Sequence, residues 1–465
     1  MSQFLRRRQS VIRLTLATCV IAALAIWSLA GARDSAPGDV SIAVTQEESD
    51  AIRVVYELAK PRREIIFGEL ASGHRERRWR PVNDGFKILR LDTEDRLVRK
   101  DGKKFRSVEV IAQPDLIRLP KEYQPLARYG EDGLLFYTGH FWPMTGRGGR
   151  VNATFDFAPA EGNAVIAFGE RTQTLIQWRS PMAHPAFVYL GPLDAIETDH
   201  VMALIDPKAP DWIQSEFAAL TPAVFAELTR LFGFSLPSKP NLFLAAPLGR
   251  DAGRLSYAGD ALPGQFQITL EGAAWREPTA KARRIFRRST AHEAVHLWQA
   301  VARPSVESFA AWVHEGAADA IAAEILIGLS IWDETDARVD LDRAKTECKK
   351  GLKNGSLASA EERGDYRAIY TCGHLIAETV AQTEEQPVSA FWREFIDLAQ
   401  NRNGYTEALF YELVERRTGD DRLPRAIQRF VGTDHPDPAA AIDRLLAASG
   451  SSAADLRVGE GVDRP

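Results

Sequence analysis

His292-Glu293-Ala294-Val295-His296 stands inside a run that contains no proline from Thr279 to Arg303. Few short patterns restrict a chain more. The run predicts a single helix with Thr279 as its N-cap. Residues four apart on a helix lie one turn apart on the same face. Two imidazoles stacked in this way can both ligate one metal ion, and zinc accepts such nitrogen donors in tetrahedral geometry. Glu293 projects to the side of the pair, where it can take a proton from a water that the metal has acidified. Two histidines alone do not make the site, because so short a pattern also arises on helices whose histidines are unrelated. A third ligand decides the matter.

Downstream runs Ala311-Trp312-Val313-His314-Glu315-Gly316-Ala317-Ala318-Asp319, with eighteen residues between His296 and Glu315. H-E-x-x-H, eighteen residues, then a glutamate in a Trp-x-x-Glu-Gly context resembles the membrane alanyl aminopeptidases and the leukotriene hydrolases. It is also similar to the glycyl aminopeptidase family; all are gluzincins, grouped with thermolysin. The resemblance spans roughly residues 212 to 380. It implies a thermolysin-like zincin catalytic domain, one Zn²⁺ held by His292, His296 and Glu315, Glu293 as general base, and a peptide or protein substrate. Three protein ligands leave the fourth position for water, as a catalytic zinc site requires. Asp319 lies four residues after Glu315 on the same helical face. An aspartate at that offset orients the first histidine in thermolysin, and a ligating imidazole needs such a partner for its other N–H. Asp319 is therefore expected behind His292. His314, adjacent to Glu315, faces about 100° away on a helix and reads as structural or substrate-facing.

Two further parts of the family pattern can be sought. The aminopeptidases stabilise the oxyanion with a tyrosine followed at its third position by glycine, and Tyr370-Thr371-Cys372-Gly373 fits that frame. A phenol aimed at a developing oxyanion lowers the barrier by a few kcal/mol. Tyr366, one turn earlier, competes for the role. The family also binds the substrate's free amine through a glutamate on a Gly-x-Met-Glu-Asn strand. The matching segment is Gly264-Gln265-Phe266-Gln267-Ile268, in which Gln265 and Gln267 become the substrate-binding residues. A neutral amide stands where the family has a carboxylate, and it cannot pair with an ammonium as a carboxylate does. The strand itself can still bind an extended peptide by edge addition.

The amino terminus reads as a leader. Arg6, Arg7 and Arg8 precede an apolar stretch from Leu14 to Ala32 that ends in Ala30-Gly31-Ala32, a small-x-small cleavage pattern. The stretch is also about long enough to span a bilayer, so a cleaved signal and an anchor through residues 11–32 both remain open. Either form places the body outside the cytoplasm, in a bacterial-type periplasm, at the inner membrane or beyond the cell. The chain's net charge is −5, and the leader holds four arginines and no acid, so the remainder carries −9. A mildly acidic body argues against a nucleic-acid partner. Of three cysteines, Cys19 lies in the leader, while Cys348 and Cys372 are either a disulfide permitted by an oxidising compartment or two buried thiols.

The remainder divides by pattern into an α+β multidomain chain. After a linker at 33–39, residues 33–205 form a β-rich, antiparallel N-terminal domain, with strands at Ile52-Arg-Val-Val-Tyr, Phe86 to Leu91, Val151 to Phe157 and Thr174 to Trp178. Asn83-Asp84-Gly85 and Lys100-Asp101-Gly102 carry hairpin-turn chemistry. Residues 206–385 form the catalytic domain, opening on a helix from Asp211 to Phe232 and strands at Asn241 to Ala245 and Gln265 to Leu270. A helical region at 386–450 and a flexible tail at 451–465 follow. The basic run Lys281, Arg283, Arg284, Arg287 and Arg288 reads as a solvated outer face of the metal helix. The same residues would serve a peptidase, a zinc hydrolase of a non-peptide substrate, or a non-catalytic zinc-containing envelope scaffold. No feature specifies an oligomeric state.

Overall fold

The computed structural model describes residues 39–449 apart from 49–50, 92, 115–122, 131, 147, 180–183, 303–309, 403 and 405. The expected leader and tail lie outside the described residues. Among the described residues no helix is long and apolar enough to cross a membrane.

Strand-forming sequence fills the first part. The strands are β1 (Val40–Glu48), β2 (Ala51–Arg62), β3 (Glu64–Gly68), β4 (Trp79–Pro81), β5 (Phe86–Arg90), β6 (Glu94–Arg99) and β7 (Phe105–Ala112), with one short helix, α1 (His74–Arg78), before β4. They continue as β8 (Leu126–Tyr129), β9 (Gly133–Tyr137), β10 (Ala153–Ala158), β11 (Ala164–Ala167), β12 (Glu170–Thr172), β13 (Leu175–Trp178) and β14 (Phe187–Gly191). A six-stranded sheet has the order β13-β10-β1-β2-β7-β4, a five-stranded sheet β12-β11-β14-β9-β8, and a three-stranded sheet β3-β6-β5. Pairing is antiparallel except between β1 and β10, which run parallel. The two turns with hairpin chemistry close no hairpin. β4 pairs with β7 while β5 pairs with β6, so each turn carries the chain from one sheet to the other. The Asn83 side chain accepts from Gly85 N at 2.7 Å, a local bond that shapes the turn without setting strand partners.

A second five-stranded sheet follows, from β15 (Ile196–Glu197) and β16 (Met202–Ile205) through β17 (Asn241–Ala245), β18 (Ser256–Leu262) and β19 (Gln265–Glu271), in the order β15-β16-β17-β19-β18. It stacks on the β8–β9 sheet, which in turn stacks on the β1–β2 sheet. Alternation along β9 shows the layering: Leu134 and Phe136 enter the core shared with β1 and β2, while Leu135 and Tyr137 enter the core shared with β16 and β17. A strand covered on both faces loses the polar half of the alternation, and all five residues of β9 and of β14 are buried. β2, covered on one face, keeps the alternation over its first half.

Helices take over beyond this sheet. They are α2 (Asp211–Phe232), which connects β16 to β17, then α3 (Ala280–Gln299), α4 (Ala311–Gly328), α5 (Glu334–Leu352), α6 (Tyr366–Thr383), α7 (Val388–Asn401), α8 (Glu407–Thr418), α9 (Arg422–Gly432) and α10 (Pro438–Ala447). Phe266, Ile268 and Leu270 of β19 share one core with α2, α3, α4 and α6. α4 is alanine-rich and buried around most of its circumference, as a helix at the centre of a bundle must be. It crosses α6 at glycine: a Cβ added at Gly373 would stand 2.8 Å from Gly316 Cα, closer than carbon atoms approach without repulsion. Cys348 of α5 and Cys372 of α6 form a disulfide with Cα atoms 4.9 Å apart. The pairing left open by spacing is thus present, and it ties α5 to α6.

Candidate active site

α3 begins where the sequence predicts, with the Thr279 hydroxyl accepting from Ala282 N at 3.1 Å. Its second half, Ser289 to Gln299, is continuously buried, which brings the histidines inside the bundle. His292 Nε2 and His296 Nε2 lie 3.0 Å apart. Glu315 Oε2, from α4, lies 3.3 Å from the first and 3.2 Å from the second. These three residues form a group whose ligand atoms all fall within 4.8 Å of one another.

The far side of each imidazole is already engaged. His292 Nδ1 is 2.8 Å from Asp319 Oδ1, where the sequence expects it. His296 Nδ1 is 2.7 Å from Gln299 Oε1. The amide of Gln299 is oriented by its other end, because Nε2 donates to His314 O at 3.0 Å. Both Nδ1 atoms are therefore the donors, and both Nε2 lone pairs point at each other and at a carboxylate oxygen. Three lone pairs converging on one point call for a cation. Two neutral imidazoles and one carboxylate are a catalytic zinc donor set, so the residues fit one Zn²⁺.

Charge tells the same story. Burial alone would raise the Glu315 carboxyl, but the imidazoles of His296 and His292 hold it well below the usual carboxylate range. Burial opposes charge on His292, yet Asp319 and Glu315 lift its pKa to about 10. In the metal-free state the pocket retains a proton where it is built to take a cation, so metal binding releases that proton. Glu293 is governed by burial, which lifts it to about 7 against the pull of His292 and His296. A value near neutrality suits a group that must accept and return a proton.

Among solved structures the chain is similar to an aminopeptidase N family protein from Idiomarina loihiensis, with 12% identity over 85% of this chain and 76% of that one and a TM-score of 0.60. It is similar also to native yeast LTA4 hydrolase, with 9% identity over 85% of this chain and 67% of that one and a TM-score of 0.50. The chain has their fold. No protein-family model and no curated protein matches the sequence.

Tyr370 of α6 stacks on His292, ring centroids 5.5 Å apart and planes at 24°, and it interacts with Glu315. The glycine crossing of α4 and α6 brings it there. Tyr370 thus stands beside the ligands. His314 is not one of the three converging residues; its ring stacks on His296 at 4.4 Å, and burial beside that imidazole lowers its pKa to about 3.

Gln265 and Gln267 both bond within the protein. β19 is an inner strand, between β17 and β18, so no peptide can add to it. The Gln265 side chain is fully buried and bonds the backbone of Phe187 twice, at 2.8 Å each. Gln267 Nε2 donates to Asp260 Oδ2 at 3.1 Å, across the pair of β18 with β19. One edge of this sheet is β18, and it is β18 that meets Glu293. A Cβ added at Gly259 would stand 2.8 Å from Glu293 Cγ and would overlap the carboxylate.

The basic run on α3 is also not a solvated face. Arg283 and Arg287 both pair with Glu216 of α2, Arg284 pairs with Asp336 of α5, and Arg288 is buried against Asp319 and Asp340. Only Lys281 of the five is plainly exposed. Sequence reasoning missed Gly259, Asp260, Arg288 and Gln299. Arg288 could have been found from its spacing, since 288, 292 and 296 repeat every fourth residue on one helical face.

Proposed function

We propose that the protein is a zinc-dependent peptidase that hydrolyses peptide bonds, with His292, His296 and Glu315 as metal ligands and Glu293 as general base. The observation that carries this reading is the convergence of two Nε2 lone pairs and Glu315 Oε2 beside the buried carboxylate of Glu293. A zinc ion held there supplies a Lewis acid that polarises a carbonyl and acidifies water. Glu293 takes the proton from the attacking water and delivers it to the departing nitrogen. Tyr370 donates its phenolic hydrogen to the oxygen that gains charge. Asp319 and Gln299 hold the two imidazoles in the tautomer that leaves Nε2 free. β18 offers its edge to an extended substrate strand.

Glu293→Gln tests the mechanism. The substitution keeps size and hydrogen bonding but removes the base, so bound zinc stays at one per chain while peptide hydrolysis falls at least a hundredfold. Retained hydrolysis with retained zinc would overturn the assignment. A non-catalytic scaffold would show zinc with no hydrolysis of any peptide by the unaltered protein.

Action at a free amino terminus is the narrower reading, and one observation favours it. The edge strand carries an acid, Asp260, one residue from Gly259 and near enough to raise the Glu293 carboxyl. A carboxylate in that position can pair with a substrate ammonium. N-acetylation of a peptide then abolishes turnover, and Asp260→Asn raises KM for free peptides. Equal turnover of blocked and free peptides would exclude this reading. Export of the body is supported by the buried Cys348–Cys372 disulfide, since such bonds persist in oxidising compartments.

A further inference from the structure

His292 and Asp319 are the inner end of a longer buried array. Asp319 presents Oδ1 to His292 Nδ1 at 2.8 Å and Oδ2 to Arg288 at 2.6 Å. Arg288 Nε reaches Asp340 Oδ1 of α5 at 2.9 Å. Side-chain exposures are 11% for Arg288, 2% for Asp319 and 3% for Asp340, so water contributes little to any of these charges. Arg343 also pairs with Asp340 at 2.9 Å, but its own side chain is 42% exposed. Arg288 is the cation within the protein that both carboxylates share.

We propose that Arg288 is a positioning residue of the metal centre: it holds the Asp319 carboxylate in the orientation that aims His292 at the metal, and it locks that orientation to α5 through Asp340. The inference rests on the metal reading above. Two buried carboxylates facing each other without a shared cation repel, and each would turn towards other partners or take up a proton. Asp319 cannot turn while one of its oxygens is held by a guanidinium from the same helix as His292. A planar fork can meet two carboxylates at once, which a single ammonium does less well. Arg288 stands one helical turn before His292, just as His292 stands one turn before His296. One face of α3 therefore carries both ligands and the group that steadies the first of them.

The test is Zn²⁺ titration of the purified full chain against a chromophoric chelator, for the wild type, Arg288→Met and Arg288→Lys, with thermal unfolding of the metal-free proteins alongside. The wild type binds one Zn²⁺ per chain. Arg288→Met binds it ten- to a hundredfold more weakly, the range for loss of a partner that orients a ligand, and Arg288→Lys recovers part of the loss. A lower Tm with zinc affinity within threefold of wild type would mean that the ion pairs serve folding alone, and the proposal would fall. Tighter zinc binding in Arg288→Met would also overturn it, by showing that the guanidinium acts only as a charge repelling the metal. If Arg288→Met does not fold, Arg288→Lys decides: threefold or greater weakening supports the proposal, and wild-type affinity refutes it. Absence of zinc from the wild type would remove the metal reading itself, and this inference with it.

Discussion

Gly259→Ala will separate the base from the metal. The added methyl would stand 2.8 Å from Glu293 Cγ and closer still to its carboxylate, whereas carbon atoms rest about 3.5–4.0 Å apart at their optimum. The overlap is greatest at the carboxylate, so Glu293 must move by more than about 1 Å or β18 must be pushed off α3. β18 is not free to yield, since it pairs with β19 along all seven of its residues. Movement of the carboxylate is the easier relaxation. A misplacement of about 1 Å in a reacting group lowers the rate about a hundredfold. The three atoms nearest the new methyl all belong to Glu293 and none to a ligand, so zinc content and zinc affinity stay at wild-type values. The assay is kcat/KM on a peptide substrate together with metal analysis of the same preparation. Activity within threefold of wild type with a full complement of zinc would refute the reasoning, because it would show that the Glu293 carboxylate need not occupy the space beside Gly259. Loss of zinc together with activity would refute it differently, by showing that the edge strand supports the ligands and not only the base.

Two further outcomes can be measured without a substrate. Replacing Cys348 and Cys372 by alanine opens a closure between residues 24 apart, and the chain-entropy account puts the loss at about 3 kcal/mol; chemical denaturation of the metal-free protein checks this, and a loss below about 1 kcal/mol would contradict it. Glu324, on α4, accepts from the backbone N of Ser389 at 2.9 Å and from its hydroxyl, and burial nonetheless lifts its pKa to about 7. A carboxyl whose folded pKa is raised contributes stability that is fully present below its unfolded value of about 4.3 and is lost as pH rises through about 7. Glu324→Gln, which cannot ionise, will remove about 1–3 kcal/mol of the stability difference between pH 5 and pH 8. An unchanged pH profile of unfolding would show that Glu324 does not titrate in this window.

Much of this molecule was legible in one dimension, and the exceptions share a cause. Helix α2 runs from Asp211 to Phe232 as its apolar spacing predicts, and Thr279 caps α3. Helical spacing, a local rule, puts His292 with His296 on α3 and Glu315 with Asp319 on α4, while the meeting of the two pairs was legible only through the family resemblance. What local rules could not reach is the identity of neighbours. β18 contains Gly259 and Asp260, poor strand formers, and the family pattern points instead to β19, an inner strand covered on both faces. The hairpin chemistry around Gly85 and Gly102 was real as turn chemistry, but which strands meet after a turn is a tertiary outcome. Arg284 and Arg288 follow the spacing of a solvated face, yet each meets an aspartate of α5. Helices packed on α3 bring carboxylates up to these arginines, which spacing alone does not show.

The same distinction explains the glycines. Glu315-Gly316 and Tyr370-x-x-Gly373 look like catalytic residues with neutral companions. In three dimensions the companions meet each other: a Cβ at Gly316 would stand 2.6 Å from His374 N, and one at Gly373 would stand 2.8 Å from Gly316 Cα. That backbone contact sets how near α6 comes to α4, and so how near Tyr370 comes to His292 and Glu315. Gly259 does the same for β18 and α3. α6 closes on α4, and β18 on α3, at points where a side chain is missing. The glycines at 316 and 373 set how near α6 comes to α4, since one methyl at that crossing would force the two helices apart by more than a hydrogen bond tolerates. Tyr370 is thus held beside His292 by backbones in contact, where there are no rotamers left to relax.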